Sequence, residues 1–141
     1  MRRSRADLEA TMRRRTILLA DDDRPTRDAV RLRLESAGFL VVCADDGRSA
    51  LEMAGRDRPD LVVLDIGMRA DDDCSVHERL CLVPELSRIP VIGITEESPE
   101  SVGCRALDRG ARCVLYKPFR GIELVEACQA VLGFRWSADA G

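Results

Sequence analysis

The segment DLVVLD at residues 60–65 places four consecutive apolar residues between two aspartates. Its apolar residues are continuous rather than alternating with polar ones, and the segment is too short for a typical helix. Such a segment is typical of a strand that is buried on both faces, as in a parallel β-sheet. Four further segments of this kind occur along the chain: TILLA (16–20), FLVVCA (39–44), IPVIGIT (89–95) and ARCVLY (111–116).

Amphipathic segments lie between these strands and predict helices. Apolar residues recur at helical spacing in five segments: 25–37, 48–55, 74–83, 99–109 and 119–132. The fourth segment follows Ser98, a preferred N-cap residue, and has Pro99 in its first turn. Alternating strands and helices require right-handed crossovers, which place helices on both faces of the sheet. The sequence therefore predicts an α/β fold with an open, doubly wound parallel sheet.

The composition is that of a soluble globular domain. Of the 141 residues, 45% are hydrophobic and 33% are charged, which is close to the average for globular proteins. No apolar stretch approaches the roughly 20 residues of a membrane-spanning helix, and the N-terminus lacks the apolar region of a secretory signal. We therefore expect a cytoplasmic protein that does not contact membranes. Its six cysteines include no C-x-x-C pair, and we expect four of them to be core thiols: Cys43, Cys81, Cys113 and Cys128.

The net charge of −3 is unevenly distributed along the chain. Six arginines against Asp7 and Glu9 give residues 1–15 a local charge of +4, so the remaining residues carry −7. An acidic body argues against nucleic-acid binding, because phosphate contacts require clustered lysine and arginine. We interpret residues 1–15 as a basic extension, 16–133 as the folded domain and 134–141 as a tail. The extension either contacts an acidic partner or anionic lipid, or remains solvated.

Charged and hydroxyl side chains stand at the ends of four predicted strands. The first strand is followed by Asp21–Asp23, the third ends in Asp65, the fourth ends in Thr95, and the fifth is followed by Lys117. Parallel strands end at the same edge of a sheet, where ligands bind in doubly wound folds. Crowded carboxylates need a compensating cation, and Mg²⁺ suits a site with few carboxylates and several waters. Lys117, the only lysine, and Thr95 remain to bind an anion. The sequence therefore predicts a group of side chains suited to phosphoryl transfer.

Four motifs at these strand ends resemble those of a known protein family. They are LLADDD, LVVLDIGM, IPVIGIT and GARCVLYKPF, and in this order they resemble the receiver domains of two-component response regulators. The resemblance covers about residues 16–133, nearly the whole chain. It implies a flavodoxin-like (βα)5 fold with five parallel strands in the order 2-1-3-4-5.

The resemblance also implies a role for each residue at the strand ends. Asp65 would be the phosphoacceptor, Thr95 the switch hydroxyl and Lys117 the contact to the phosphoryl group. The peptide bond between Lys117 and Pro118 would be cis, which X-Pro bonds permit at low cost. The ligands of Mg²⁺ would be Asp21, Asp22, Asp65 and the backbone carbonyl of Gly67.

Several residues differ from the pattern of the family. Val114 stands three residues before the lysine, where the family usually has an aromatic residue whose ring moves during switching. Arg69 replaces a common proline, and Glu96 replaces a small residue, so its carboxylate could obstruct the incoming phosphoryl group. Asp73 stands where a glycine is usual, and Asp71–Asp73 add acid close to the site; these three residues either tighten metal binding or lie in solvent.

Cys74, His77 and Cys81 lie at positions i, i+3 and i+7 of a predicted helix, a pattern that could bind a soft metal ion. Three ligands on successive turns of one helix leave the coordination incomplete. The face that carries them should also pack on the sheet. We therefore interpret these three residues as core residues rather than metal ligands.

The sequence favours a stand-alone receiver domain that acts as a phosphorylation switch. A histidine kinase or phosphotransfer protein would donate the phosphoryl group, and the 89–132 face would bind a downstream protein or a second copy of the chain. An alternative is a receiver-fold adaptor that binds partners independently of phosphorylation. A third is an aspartate-dependent phosphatase, but such enzymes carry a second aspartate two residues after the nucleophile, where this chain has Gly67. We therefore expect no enzymatic activity beyond self-phosphorylation from a donor and slow self-dephosphorylation.

Overall fold

The computed structural model describes residues 14–97, 106, 107 and 109–133. Within these residues, five parallel strands form one sheet in the order β2-β1-β3-β4-β5, so the predicted order is confirmed. All five strands end where the sequence predicted, and four of them begin one or two residues later. The strands are β1 (Thr16–Ala20), β2 (Leu40–Ala44), β3 (Leu61–Asp65), β4 (Val91–Thr95) and β5 (Cys113–Tyr116).

Helices connect the strands and cover both faces of the sheet. The described helices are α1 (Arg24–Ser36), α2 (Gly47–Asp57), α3 (Val76–Leu82), α4 (Pro84–Ser87) and α5 (Gly121–Val131). The short helix α4 was not predicted. Most of the predicted helix 99–109, its cap at Ser98, residues 1–13 of the basic extension and the tail 134–141 lie outside the described residues. No helix in the described part of the chain has the length and apolarity needed to span a membrane.

The core has two layers because successive residues of each strand point to opposite faces. Ile17 and Leu19 face a cluster that also holds the buried residues of α1 and α5. Leu18 and Ala20 face a second cluster, built with the buried residues of α2 and α3. All four of these β1 residues are 0% or 1% exposed. The continuous apolar pattern therefore reflects burial on both faces, as predicted.

Side-chain caps fix where three of the helices begin. Asp23 caps α1, since its Oδ2 accepts a hydrogen bond of 3.1 Å from the backbone N–H of Thr26. Asp46 caps α2 in the same way through Ser49, at 2.7 Å. A capping box begins α3: Ser75 accepts from the backbone N–H of Glu78, and the carboxylate of Glu78 accepts from the N–H of Ser75. Asp23, the third acid of the Asp21–Asp23 triplet, is therefore the N-cap of α1.

The loop after β3 packs closely against the start of α2. A bridge between Arg69 and Ser75 closes this loop, and the N–H of Ala70 donates to the carbonyl of Cys74 at 2.9 Å. A Cβ atom on Gly47 would lie only 1.9 Å from the carbonyl oxygen of Arg69. The approach of the two backbones therefore requires glycine at this position.

The predicted packing of the thiols is correct for some and wrong for Cys81. Cys128 is fully buried, whereas Cys43 and Cys113 are half-buried at the margins of the core. Cys81 is exposed, and its Sγ lies 3.6 Å from the carbonyl oxygen of Arg109. It lies in the last turn of the short helix α3, so its side chain is not enclosed as the predicted helix 74–83 implied.

Candidate functional site

Three carboxylates meet at the carboxyl ends of β1 and β3. One side-chain oxygen from each of Asp21, Asp22 and Asp65 lies within 4.8 Å of the other two. Asp21 is fully buried, Asp65 is half-buried and Asp22 is exposed. Among residues 14–97 and the described residues from 106 to 133, no other group of three His, Cys, Asp or Glu side chains comes this close together. The structure therefore brings the predicted acidic residues together at one edge of the sheet.

Asp21 is held by hydrogen bonds to each of its polar groups. Its N–H donates to the carbonyl of Ala44 at 3.2 Å, and its own carbonyl accepts from the Arg27 guanidinium at 2.8 Å. Its Oδ1 accepts from the N–H of Asp23 at 2.9 Å, and its Oδ2 accepts from Lys117 Nζ at 2.9 Å. Two hydrogen bonds therefore fix the backbone of this buried residue, and two more fix its carboxylate.

Lys117 supplies a cation between two of these carboxylates. Its ammonium lies 2.9 Å from Asp21 and 3.7 Å from Asp65. Its backbone N–H donates to the carbonyl of Thr95 at 2.7 Å, and the peptide bond to Pro118 is cis, as predicted. Burial disfavours the charged ammonium, but the hydrogen bond and charge of Asp21 outweigh it, and the pKa of Lys117 is raised. The side chain therefore remains a cation.

Asp65 keeps an accessible carboxylate at the end of β3. Its side chain is 21% exposed, whereas that of Asp21 is 0% exposed. Its Oδ1 accepts a hydrogen bond of 3.0 Å from the N–H of Gly67. Burial raises the pKa of Asp65; the bond from Gly67 opposes this shift, and the nearby charge of Asp21 adds to it. The negative charge on Asp65 is therefore costly, and a further cation at the cluster would relieve this cost.

Thr95 lies at the end of β4, on the strand next to Asp65. The register pairs Asp65 with Ile94, which places Thr95 one residue further along the edge of the sheet. The residue is 2% exposed, and its Oγ1 accepts a hydrogen bond of 3.0 Å from the N–H of Glu97. The hydroxyl still carries a proton that it can donate. Thr95 therefore occupies the same edge as the acidic cluster, with a donor group to offer an anion.

Gly67 lies beside Asp65, at the start of the loop that follows β3. It is exposed, and a Cβ atom there would stand 3.4 Å from Asp65 Oδ1. The proposed role of its carbonyl as a metal ligand stays a prediction.

The residues that differ from the family pattern lie around this edge. Val114 packs in a small apolar cluster with Ile66, Ala106 and Ala111. A Cβ atom on Gly93 would lie 2.6 Å from the Cγ2 atom of Ile66. Ile66 is therefore closely packed against Gly93 of β4, and it also lines a cavity with His77 and Arg109.

The acidic residues of the β3–α3 loop lie apart from the cluster. Asp71 forms an ion pair with Arg79 and accepts a hydrogen bond of 2.8 Å from the N–H of Asp73. Arg69 donates to the carbonyl of Asp72 at 2.7 Å. Asp71, Asp72 and Asp73 are exposed. Of the two alternatives for these residues, the structure favours the solvated one.

Two further residues singled out in the sequence, Glu96 and His77, lie in contrasting surroundings. Glu96 is exposed and lines a cavity with Lys117 between α1 and the start of α5. His77 is 4% exposed, and burial lowers its pKa. Cys74 and His77 pack as core residues, as expected, whereas Cys81 does not.

A family model for the response regulator receiver domain matches residues 17–129. The chain belongs to this family. The receiver domain also has similar curated relatives. Response regulator MprA of Mycobacterium leprae (strain TN) is 39% identical over 116 residues, which cover 82% of this chain and 50% of that protein. Response regulator MprA of Mycobacterium sp. (strain KMS) is 37% identical over 125 residues, 89% of this chain and 53% of that protein. The chain thus spans about half the length of these relatives.

Solved structures share the fold of this receiver domain. Chemotaxis response regulator CheY4 of Vibrio cholerae matches with a TM-score of 0.72 and 30% identity, covering 84% of this chain and 98% of that one. The receiver domain of sensor histidine kinase PA1611 from Pseudomonas aeruginosa PAO1 matches with a TM-score of 0.76 and 27% identity, covering 85% and 98%. That structure holds a magnesium ion coordinated in its active site cleft.

The donor set of this receiver domain fits Mg²⁺. All its candidate side-chain ligands are carboxylate oxygens, which this hard cation prefers. Mg²⁺ binds oxygen at about 2.0–2.1 Å, so its ligands lie roughly 3–4 Å from one another. The separation of at most 4.8 Å between the oxygens of Asp21, Asp22 and Asp65 can reach this range through small side-chain rotations.

One residue of this site was missed by the sequence interpretation. Arg27 contacts the carbonyl of Asp21, yet in the sequence it is only one of several arginines on α1. Its spacing from Asp23, one helical turn away, was the only signal that it could face the site.

Proposed function

We propose that this receiver domain is a phosphorylation switch that accepts a phosphoryl group on Asp65 from the phosphohistidine of a histidine kinase or phosphotransfer protein. One observation carries the proposal: the accessible Asp65 carboxylate lies beside two acidic side chains and 3.7 Å from the Lys117 ammonium. This arrangement combines a nucleophile, a cation and a set of metal-ligating oxygens at one point. Phosphoryl transfer depends mainly on such positioning and charge neutralisation.

In the transfer step, one Asp65 oxygen attacks the phosphorus atom. A P–O bond forms, the P–N bond of the donor breaks, and its electron pair returns to the imidazole nitrogen. Lys117 lies close enough to Asp65 to neutralise negative charge on the transferred group. Asp21, Asp22, Asp65 and the carbonyl of Gly67 would hold Mg²⁺, which when bound neutralises charge on the phosphoryl oxygens.

The hydroxyl of Thr95 would report the phosphorylated state. It accepts a hydrogen bond from the N–H of Glu97 and can donate its own proton to a phosphoryl oxygen. Movement of Thr95 toward Asp65 would shift the end of β4 and the surface of the 89–132 face, where a downstream protein or a second copy would bind. Because Val114 has no ring, this output would proceed without the rotation of an aromatic side chain.

The alternatives have less support. An adaptor that ignores phosphorylation has no need for an accessible Asp65 carboxylate beside a buried Asp21–Lys117 pair. A phosphatase would need an acid two residues after Asp65, and this chain has Gly67 there. We therefore propose a switch that does not turn over phosphomonoesters.

Phosphorylation by a small donor tests the proposal. The protein is treated with acetyl phosphate and Mg²⁺, and intact mass spectrometry is expected to show the gain of one phosphoryl group that hydroxylamine removes. Asp65→Asn should abolish the gain, because the nucleophilic oxygen is lost. Asp72→Asn is the matched control, since Asp72 is an exposed acid outside the cluster. Equal labelling of wild type and Asp65→Asn, or no labelling of wild type, would refute the assignment.

A further inference from the structure

Arg27 joins the first turn of α1 to the end of β1. Arg27 is half-buried, and its guanidinium donates a hydrogen bond of 2.8 Å to the backbone carbonyl of Asp21. The turn also closes through the N–H of Arg27, which donates to the carbonyl of Asp23 at 2.9 Å, and through the N–H of Asp23, which donates to Asp21 Oδ1. Resting on the proposed function, we infer that Arg27 is a positioning residue for the Mg²⁺ ligands Asp21 and Asp22.

The contact acts on the peptide unit that links the two acids. The carbonyl oxygen of Asp21 lies in the same plane as the N–H of Asp22, because the peptide bond is planar. A hydrogen bond that fixes this oxygen therefore fixes the direction in which Asp22 leaves β1. Asp21 itself is already held by Lys117 and the N–H of Asp23. Arg27 thus sets the exposed carboxylate of Asp22 relative to the buried one of Asp21.

The backbone carbonyl of Asp21 also needs the Arg27 guanidinium as a hydrogen-bond donor. The pairing of β1 with β3 ends at Ala20 and Leu64, so the oxygen of Asp21 lies beyond the paired part of the strand. Asp21 is 0% exposed, and a buried carbonyl without a donor is unfavourable. Without the guanidinium, the peptide would be expected to rotate toward another donor or toward water. Such a rotation would move Asp22.

Other arginines of α1 have a different role. Arg24 lies 3.6 Å from Asp28, and Arg31 lies 3.4 Å from Glu35, both as exposed i,i+4 ion pairs on the helix surface. Within the described residues, Arg27 forms no such pair, and its contact is with the backbone of the site. Arg31 is therefore a matched control on the same helix.

The sign of the effect separates positioning from simple electrostatics. Removal of a cation near a metal site should tighten Mg²⁺ binding if charge alone matters, because repulsion is lost. A positioning role predicts the opposite, since the two carboxylates lose their fixed geometry. Loss of a residue that orients a metal ligand typically weakens metal binding by about 10- to 100-fold.

The experiment measures the Mg²⁺ dissociation constant by isothermal titration calorimetry, with circular dichroism as the check on folding. Arg27→Met is expected to weaken Mg²⁺ binding at least about tenfold. Arg27→Lys, which keeps a donor, should recover most of the affinity, and Arg31→Met should leave it unchanged. Unchanged or tighter binding in folded Arg27→Met would overturn the inference. If that variant does not fold, Arg27→Ala, which also lacks a donor, takes its place with the same expectation relative to Arg27→Lys.

A positive control separates this inference from the proposed function. Asp22→Asn should weaken Mg²⁺ binding whatever the role of Arg27, because it removes a proposed ligand. If wild type does not bind Mg²⁺, or Asp22→Asn binds it as well as wild type, the proposed metal site fails. If Asp22→Asn weakens binding and Arg27→Met does not, only the role of Arg27 fails.

Discussion

Replacing Gly47 with alanine should destabilise the protein, because the new methyl group would meet backbone rather than a flexible side chain. The Cβ atom would lie 1.9 Å from the carbonyl oxygen of Arg69 and 3.0 Å from the Cα of Ala70, whereas ordinary Cβ contacts begin at 3.4 Å. The separation from the Arg69 oxygen must therefore grow by about 1.5 Å, the difference between those two distances. The loop cannot easily move, since the bridge between Arg69 and Ser75 closes it.

The expected magnitude follows from two opposing effects. Forcing extra methyl groups into closely packed sites costs about 1–3 kcal/mol of unfolding free energy. Alanine is preferred over glycine in helices by at most about 1 kcal/mol, and less at the first position of a helix, which Gly47 occupies. We therefore expect Gly47→Ala to lower the free energy of unfolding by about 2 kcal/mol.

Gly55 is the matched control because it lies on the same helix. A Cβ atom on Gly55 would have nothing within 4 Å, so Gly55→Ala should stabilise the protein by about 0.5–1 kcal/mol. Urea unfolding followed by circular dichroism measures both variants. If Gly47→Ala is as stable as wild type, or gains stability as Gly55→Ala should, then α2 does not approach the loop after β3 as closely as the structure indicates.

Two further predictions concern the charged site. Lys117→Met removes the cation beside the fully buried Asp21 and should cost about 3 kcal/mol of unfolding free energy. Adding Asp21→Asn to this variant should recover most of the loss, and a double variant no more stable than Lys117→Met would contradict this reasoning. Burial raises the pKa of Asp65 in the folded protein. The stability that Asp65 contributes is therefore fully present when the pH is below the ordinary pKa of an aspartate, and it is lost as the pH rises through the raised pKa of the folded state. Asp65→Asn should therefore be more stable than wild type at pH 7, with the difference vanishing near pH 3 in urea unfolding; a difference that does not depend on pH would argue against a raised pKa.

Much of the fold could be predicted from the sequence because burial on both faces leaves a continuous apolar pattern. TILLA became β1 with the predicted bounds, Thr16–Ala20. Since parallel strands end at one edge, the same reasoning placed Asp21, Asp65 and Lys117 at a common site before any contact was known. These conclusions depend only on local pattern and on the topology of a parallel sheet.

Other features depend on contacts between distant segments and leave no local pattern. Nothing near Gly47 in the sequence indicates that the backbone of Arg69 approaches it. The burial of Cys81 was predicted wrongly because α3 ends at Leu82, which leaves this last-turn side chain exposed. The contact of Arg27 with the carbonyl of Asp21 requires the exact path of the turn, which only coordinates supply.

The absence of any other lysine from the sequence has a practical consequence. Lys117 is the only lysine in the sequence, and its Nζ atom lies within 4 Å of both Asp21 and Asp65. Labelling lysine with nitrogen-15 at the ε-position would mark one side chain among these 141 residues. A single resonance in an NMR spectrum would then report on the acidic cluster, and its identity would need no assignment experiments.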